Sequence, residues 1–129
     1  MKKLLGIILG LLLLTACQET LEQRCAREAK EYSQKNCPAP VGKDVTIDSL
    51  TFDMATHTLT YSYTVSGLID DTTVINNNNP REQLLKSLKN ATSMKPYRDA
   101  GYRFRYVYFS TKNKGTKLYE ATFLEKDYQ

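Results

Sequence analysis

Between residues 20 and 36, Leu21, Cys25, Ala29 and Tyr32 recur at the spacing of one helical face, with Arg24/Glu28, Arg27/Glu31 and Glu31/Lys35 set four apart on the others. The pattern predicts an amphipathic helix, closed at Asn36 and stopped by Pro38 and Pro40. From Val45 the period drops to two. Leu50, Phe52 and Met54 alternate with Thr51 and Asp53, and Leu59, Tyr61, Tyr63 and Val65 alternate with Thr60, Ser62 and Thr64. This predicts two half-buried strands joined by a loop over Met54 to His57. Val45 and Ile47 are out of phase with Leu50 and Phe52, which calls for a bulge near Asp48-Ser49. Gly67 to Asn78 reads as a polar loop.

Asn79-Pro80-Arg81-Glu82 has the composition of a helix start, with Asn79 as N-cap, Pro80 in first position and Glu82 closing a capping box. Leu84, Leu85, Leu88 and Ala91 form the apolar stripe, and Lys95-Pro96 ends the helix because a residue before proline avoids the helical region. Tyr102, Phe104, Tyr106 and Tyr108 then alternate with Arg103, Arg105, Val107 and Phe109; Asn113-Lys114-Gly115 turns the chain and Leu118 to Leu124 returns. The predicted fold is α+β in the order helix-strand-strand-helix-strand-strand. Two helices pack on one face of a four-stranded, mainly antiparallel sheet, leaving the other face to solvent or a partner.

The N-terminal apolar stretch has no such period. Lys2 and Lys3 precede Leu4 to Leu14 and small residues follow, the order of a secretory signal, in a run too short to span a bilayer. Leu14-Thr15-Ala16-Cys17 resembles the lipobox of bacterial lipoproteins. The resemblance implies that residues 1–16 are removed as a lipoprotein signal peptide and that Cys17 carries a diacylglycerol and an acyl group. A single acyl chain binds a membrane marginally, whereas two or three chains, at ~0.8 kcal/mol per buried CH₂, hold a protein essentially permanently. The chain is then tethered and not spanning, with 17–20 as anchor and short tether, 21–125 as the domain and 126–129 as a tail. In enterobacterial lipoproteins an aspartate beside the cysteine directs retention at the inner membrane. Gln18 and Glu19 stand there instead, which implies the outer membrane, with periplasmic and surface-facing orientations both open.

Tyr32 to Pro38, ending in Asn36-Cys37-Pro38, together with Ile47-Asp48-Ser49-Leu50 and Leu59-Thr60-Tyr61-Ser62-Tyr63, resembles small lipoproteins of the Bacteroidetes group, whose function is not assigned. The resemblance implies an outer-membrane lipoprotein and contributes no catalytic residue. Asp48-Ser49-Leu50 and Asp71-Thr72-Thr73 resemble the sites at which exported proteins of that group receive O-glycans, and of the two only Asp71-Thr72-Thr73 lies in a clearly accessible loop.

Removal of residues 1–16 from the 129-residue chain leaves 113, enough for one domain and too few for two. Cys25 and Cys37 then remain, and export invites a disulfide. Geometry opposes it. If residues 20–35 are one helix, Cys25 lies ~15 Å from residue 35 along the axis, and a bridge needs Cα atoms within ~7 Å. Two unbridged thiols are expected, Cys25 buried and Cys37 at the helix exit.

Charge is unevenly spread. Residues 17–79 carry 5 basic and 9 acidic side chains, residues 80–119 carry 10 and 2, and residues 120–129 carry 1 and 3, so the second half holds a basic block. Arg103 and Arg105 share one strand face, and their guanidinium forks suit carboxylate or phosphate. Lys112, Lys114 and Lys117 around the following turn extend the patch. Interleaved tyrosines and cations also mark nucleic-acid surfaces, but an exported lipoprotein seldom meets nucleic acid. An envelope protein or an anionic glycan or lipid fits better, against the plainer alternative of a solvated sheet face.

Chemistry has little support elsewhere. His57 is the one histidine and lies at a turn, with no CxxC or HxxxH spacing to build a metal site. Cys37 has no imidazole brought near it by sequence. Asp70-Asp71 are neighbours in a loop, lacking the separate environments that acid/base catalysis requires and the alternating ligands of a calcium loop. Asn90-Ala91-Thr92 matches a sequon but falls inside the second predicted helix. No catalytic residue, metal or cofactor is implied. The expected function is that of a non-catalytic envelope lipoprotein binding a protein or anionic ligand through its sheet face, or alternatively of a structural or accessory subunit of an outer-membrane assembly.

Overall fold

The computed structural model describes residues 18–129. The expected lipidation of Cys17 and the expected signal peptide over 1–16 fall outside the described residues. Helix α1 (Leu21–Asn36) opens on a capping box that the apolar pattern does not reveal: the Gln23 amide donates to Thr20 Oγ1 at 3.1 Å and the Thr20 amide to Gln23 Oε1 at 3.0 Å. Its stripe buries Cys25 and Ala29. Past a cis Cys37–Pro38 bond the chain forms a short strand, β1 (Ala39–Gly42), where only a helix stop was expected. Strands β2 (Val45–Asp53) and β3 (Thr58–Val65) pair antiparallel about the expected loop, and the register shifts between Ile47 and Ser49, at the predicted bulge.

The polar loop is more ordered than its composition suggests. A 3₁₀ turn (Gly67–Ile69) and helix α2 (Thr72–Asn76) occupy it, with Asp71 as N-cap accepting from Thr73 and Val74. Gly67 has φ 65°, a left-handed backbone that glycine adopts without strain, and packs against the Asp44 carboxylate. Helix α3 (Pro80–Asn90) begins at the predicted proline, but Asn79 adopts a left-handed backbone (φ 50°) and makes no side-chain cap, so the expected capping box with Glu82 does not form. The helix also ends earlier than predicted. Arg98 Nη1 donates to the carbonyls of Leu88 (2.8 Å) and Ala91 (2.5 Å), closing its C-terminus, and Lys95-Pro96 opens the next helix, α4 (Lys95–Asp99). Proline is tolerated in a first turn because that amide has no helical partner to lose.

Strands β4 (Arg103–Ser110) and β5 (Lys117–Phe123) form the second hairpin. The sheet has five strands in the order β1-β2-β3-β4-β5, one more than the four expected, and is mainly antiparallel as expected, with one exception: the β3–β4 pair is parallel. The reason lies in the connection. Residues 66–102 carry the chain back to the end where β3 began, and only such a long crossover joins parallel neighbours. Residues 126–129 are no tail either: helix α5 (Glu125–Tyr128) buries Tyr128, whose hydroxyl donates to the Tyr102 carbonyl at 2.7 Å. The core lies between the helices and one sheet face, built from Leu50, Leu59, Leu88, Tyr97, Tyr102, Phe104, Tyr106 and Phe123. The aromatics of β4 face the helices, as their alternation with the arginines predicts.

Candidate functional site

On the open sheet face Arg103 is exposed and has no carboxylate partner among the described residues, while Arg105 and Lys117 are both bound to Glu120, the lysine at 2.5 Å. Lys112 and Lys114 stand exposed on the β4–β5 turn. The basic block is thereby divided into a centre partly compensated by Glu120 and cations without a carboxylate partner among the described residues at its margins. Thr46, Thr51, Thr60 and Thr64, with Ser49 and Ser62, cover the neighbouring strands on the same face.

The other candidate groups are structural. His57 Nε2 lies 3.4 Å from Glu22 Oε1 and its ring stacks on Tyr102 at 4.8 Å, fastening the start of α1 to the first hairpin. Cys25 and Cys37 are free, and burial, with the Glu28 charge nearby, pushes the Cys25 thiol up to about 12. A thiol so disposed is not a nucleophile at neutral pH. Asp70 is not the solvated loop carboxylate that its sequence context suggests. It is 5% exposed and accepts from Ser110 Oγ at 2.5 Å and from the amides of Thr111 (3.1 Å) and Lys112 (2.9 Å). Those hydrogen bonds, the hydroxyl's first, hold its carboxyl below the ordinary range. No group of three or more ligating side chains gathers among the described residues.

What the structure does bring together is tyrosine. Helix α1 covers the sheet near Leu50 and Phe52, α3 stands over β4 and β5, and between them a groove stays open above β3 and β4. Three adjoining depressions form it, the first and second sharing Val45, Leu84, Ser87 and Tyr108, the second and third sharing Tyr61. The largest has a volume of about 430 Å³, with Val65, Ile69, Ile75 and Leu84 as apolar walls. Seven of the nine tyrosines line the groove, whereas no lysine or arginine does. Among the described residues only Tyr97 and Tyr128 place their hydroxyls in hydrogen bonds, Tyr97 on Glu28 Oε2 at 2.6 Å. Among the described residues no buried side-chain oxygen lacks a partner, so the unpaired hydroxyls of Tyr61, Tyr63, Tyr106 and Tyr108, residues that line the groove, are not sealed from solvent. Burial raises all four phenols, Tyr108 to about 12, and keeps them protonated donors.

Strand periodicity reads these tyrosines as core and misses the groove. The usable signal is their chemistry, because a wholly buried strand position favours Phe, Val or Ile, whereas a hydroxyl repeated at alternate positions of two strands calls for water or a polar partner.

Residues 20–119 match a domain of unknown function, DUF8479. The chain belongs to that family. No curated protein matches it by sequence. Among solved structures, this DUF8479 protein is similar to PA3611 of Pseudomonas aeruginosa, with TM-score 0.67 and 14% identity over 87% of this chain and 100% of that one. It is also similar to EpsS, a pilotin of the Vibrio vulnificus type 2 secretion system, with TM-score 0.63 and 10% identity over 84% and 92% of the two chains. A third likeness is to AspS, a type II secretion system pilotin of Vibrio cholerae, with TM-score 0.57 and 19% identity over 83% and 91%. At such identities the likeness is one of fold. Among the described residues of the DUF8479 chain, no helix is long and apolar enough to cross a membrane.

Proposed function

We propose that this DUF8479 protein is a non-catalytic, lipid-anchored envelope protein that binds a partner protein in the tyrosine-floored groove, as a pilotin-like accessory subunit of an outer-membrane assembly. The observation that carries the reading is the groove: an uncovered, apolar-walled strip of sheet whose hydroxyls lack partners within the described residues. The fold shared with two secretion-system pilotins supports an accessory role. Lipidation of Cys17 would supply the anchor and outer-membrane location. The test is photo-crosslinking in native membranes from Leu84 or Ser87 in the groove and from Thr60 on the open face. A discrete protein adduct from the groove positions alone is expected. Adducts from Thr60 alone would turn the partner face over.

A second reading sets an anionic partner, a glycan or lipid phosphate, on the open sheet face. It is favoured by Arg103, Lys112 and Lys114, which have no carboxylate partner among the described residues.

A further inference from the structure

The tyrosines of the groove floor restrict what can lie on it. Because β3 and β4 are parallel and in register, Tyr61 stands beside Tyr106 and Tyr63 beside Tyr108, with ring centroids 4.8 and 4.6 Å apart and planes within 7° and 11°. Rings stacked in this way cover one another's faces, and side chains stand roughly perpendicular to a sheet, so the groove receives ring edges and hydroxyls. A sugar ring that stacks on an aromatic face finds little face to use. An extended peptide fares no better, since β3 and β4 are interior strands whose main-chain groups are paired on both sides. A helix arrives with its backbone already paired.

The spacing also matches a helix. Along β3 the centroids of Tyr61 and Tyr63 are 6.5 Å apart, and residues i and i+4 of a helix rise by about 6 Å. We propose that the groove binds a helix whose groove-facing stripe carries Asn or Gln at positions i and i+4, with the carboxamide oxygens accepting from the hydroxyls of Tyr61, Tyr63, Tyr106 and Tyr108. The proposal rests on the groove being the partner site. Charge selects the carboxamide over a carboxylate: Glu28, which lines the groove, is tied to Tyr97 and Arg24, and no cation lines it to compensate a buried anion. A wholly apolar stripe would strip water from four hydroxyls and return nothing.

Two lactam-stapled, alanine-based helices with the same flanking leucines test this, one carrying Gln at i and i+4 and the other Leu. Their affinities for the full-length protein in detergent are measured by calorimetry, alongside the Tyr63→Phe/Tyr108→Phe variant, with a thermal melt to show that the variant is folded. The Gln helix is expected to bind at least tenfold more tightly than the Leu helix, and the ratio to fall at least threefold in the variant, which keeps the Tyr61/Tyr106 pair but loses the Tyr63 and Tyr108 hydroxyls. Tighter binding of the Leu helix, or a Gln advantage undiminished in the variant, overturns the proposal and leaves the groove a helix site. Failure of both helices to bind overturns the proposal and the groove reading together.

Discussion

Asp70 illustrates how a single side chain changes meaning between chain and fold. Next to Asp71 in a polar stretch it has the look of solvated charge, yet it is the buried fastening between the 3₁₀ turn and the β4–β5 hairpin, with three donors on its two oxygens. A carboxyl whose folded pKa is depressed contributes stability that is complete above its unfolded value, near 3.9, and is lost as pH falls through the folded value. Asp70→Asn should therefore lower the melting temperature at neutral pH, and the gap from the parent should narrow as pH is taken below about 4; a gap independent of pH would mean that the charge plays no part. Glu120 works in the same way on the open face. It already neutralises Arg105, so Arg105→Ser should shift elution from heparin to lower salt by less than Arg103→Ser does. Equal shifts would show that the ion pair does not shield Arg105.

At the scale of elements, one hydroxyl of helix α1 completes the edge of the sheet. Strand β1 pairs with β2 only as far as Ile47, which leaves the outward amide and carbonyl of Leu50 without a strand. Ser33 Oγ serves both, accepting from the Leu50 amide at 2.8 Å and donating to its carbonyl at 2.7 Å. Ser33→Ala should cost about 1–3 kcal/mol, the range for leaving buried main-chain groups unpaired, read as a shift in the denaturation midpoint at unchanged m-value. The ion pairs along α1, Arg24 with Glu28 and Arg27 with Glu31, involve exposed guanidiniums and contribute little, because solvent screens them. The end of α3 depends likewise on a distant group, the Arg98 guanidinium over its last carbonyls.

At the scale of the molecule, the tether and the free lysines lie at opposite ends. Gln18 to Thr20 lead into α1 beside the first hairpin, where Glu22 meets His57 and the Arg103 amide donates to the His57 carbonyl at 2.9 Å. Lys112 and Lys114 follow the far end of β4, roughly 23 Å away at the rise of a strand. If Cys17 carries lipid, a fluorophore at position 114 should be quenched less by a lipid-borne quencher than one at Thr56. Cys17→Ser should release the protein from membranes and block processing at the lipobox. Equal quenching would remove the orientation, and unchanged processing and attachment would remove the anchor.

The alternating pattern by itself determined where the principal strands run, the bulge at Asp48, the burial of the β4 aromatics and the amphipathic α1, because periods of 2.0 and 3.6 depend on local geometry that each segment carries with it. The free thiols followed from the rise of a helix. Only the tertiary structure decided that β3 and β4 run parallel, that Asp70 is buried and that Tyr128 belongs to the core, since each depends on a part of the chain remote in sequence: the crossover, Ser110, the Tyr102 carbonyl. The groove belongs to this second kind. Tyrosines at alternate positions become a floor only where the helices above them leave a gap, and the width of that gap is a property of packing that a linear pattern does not encode.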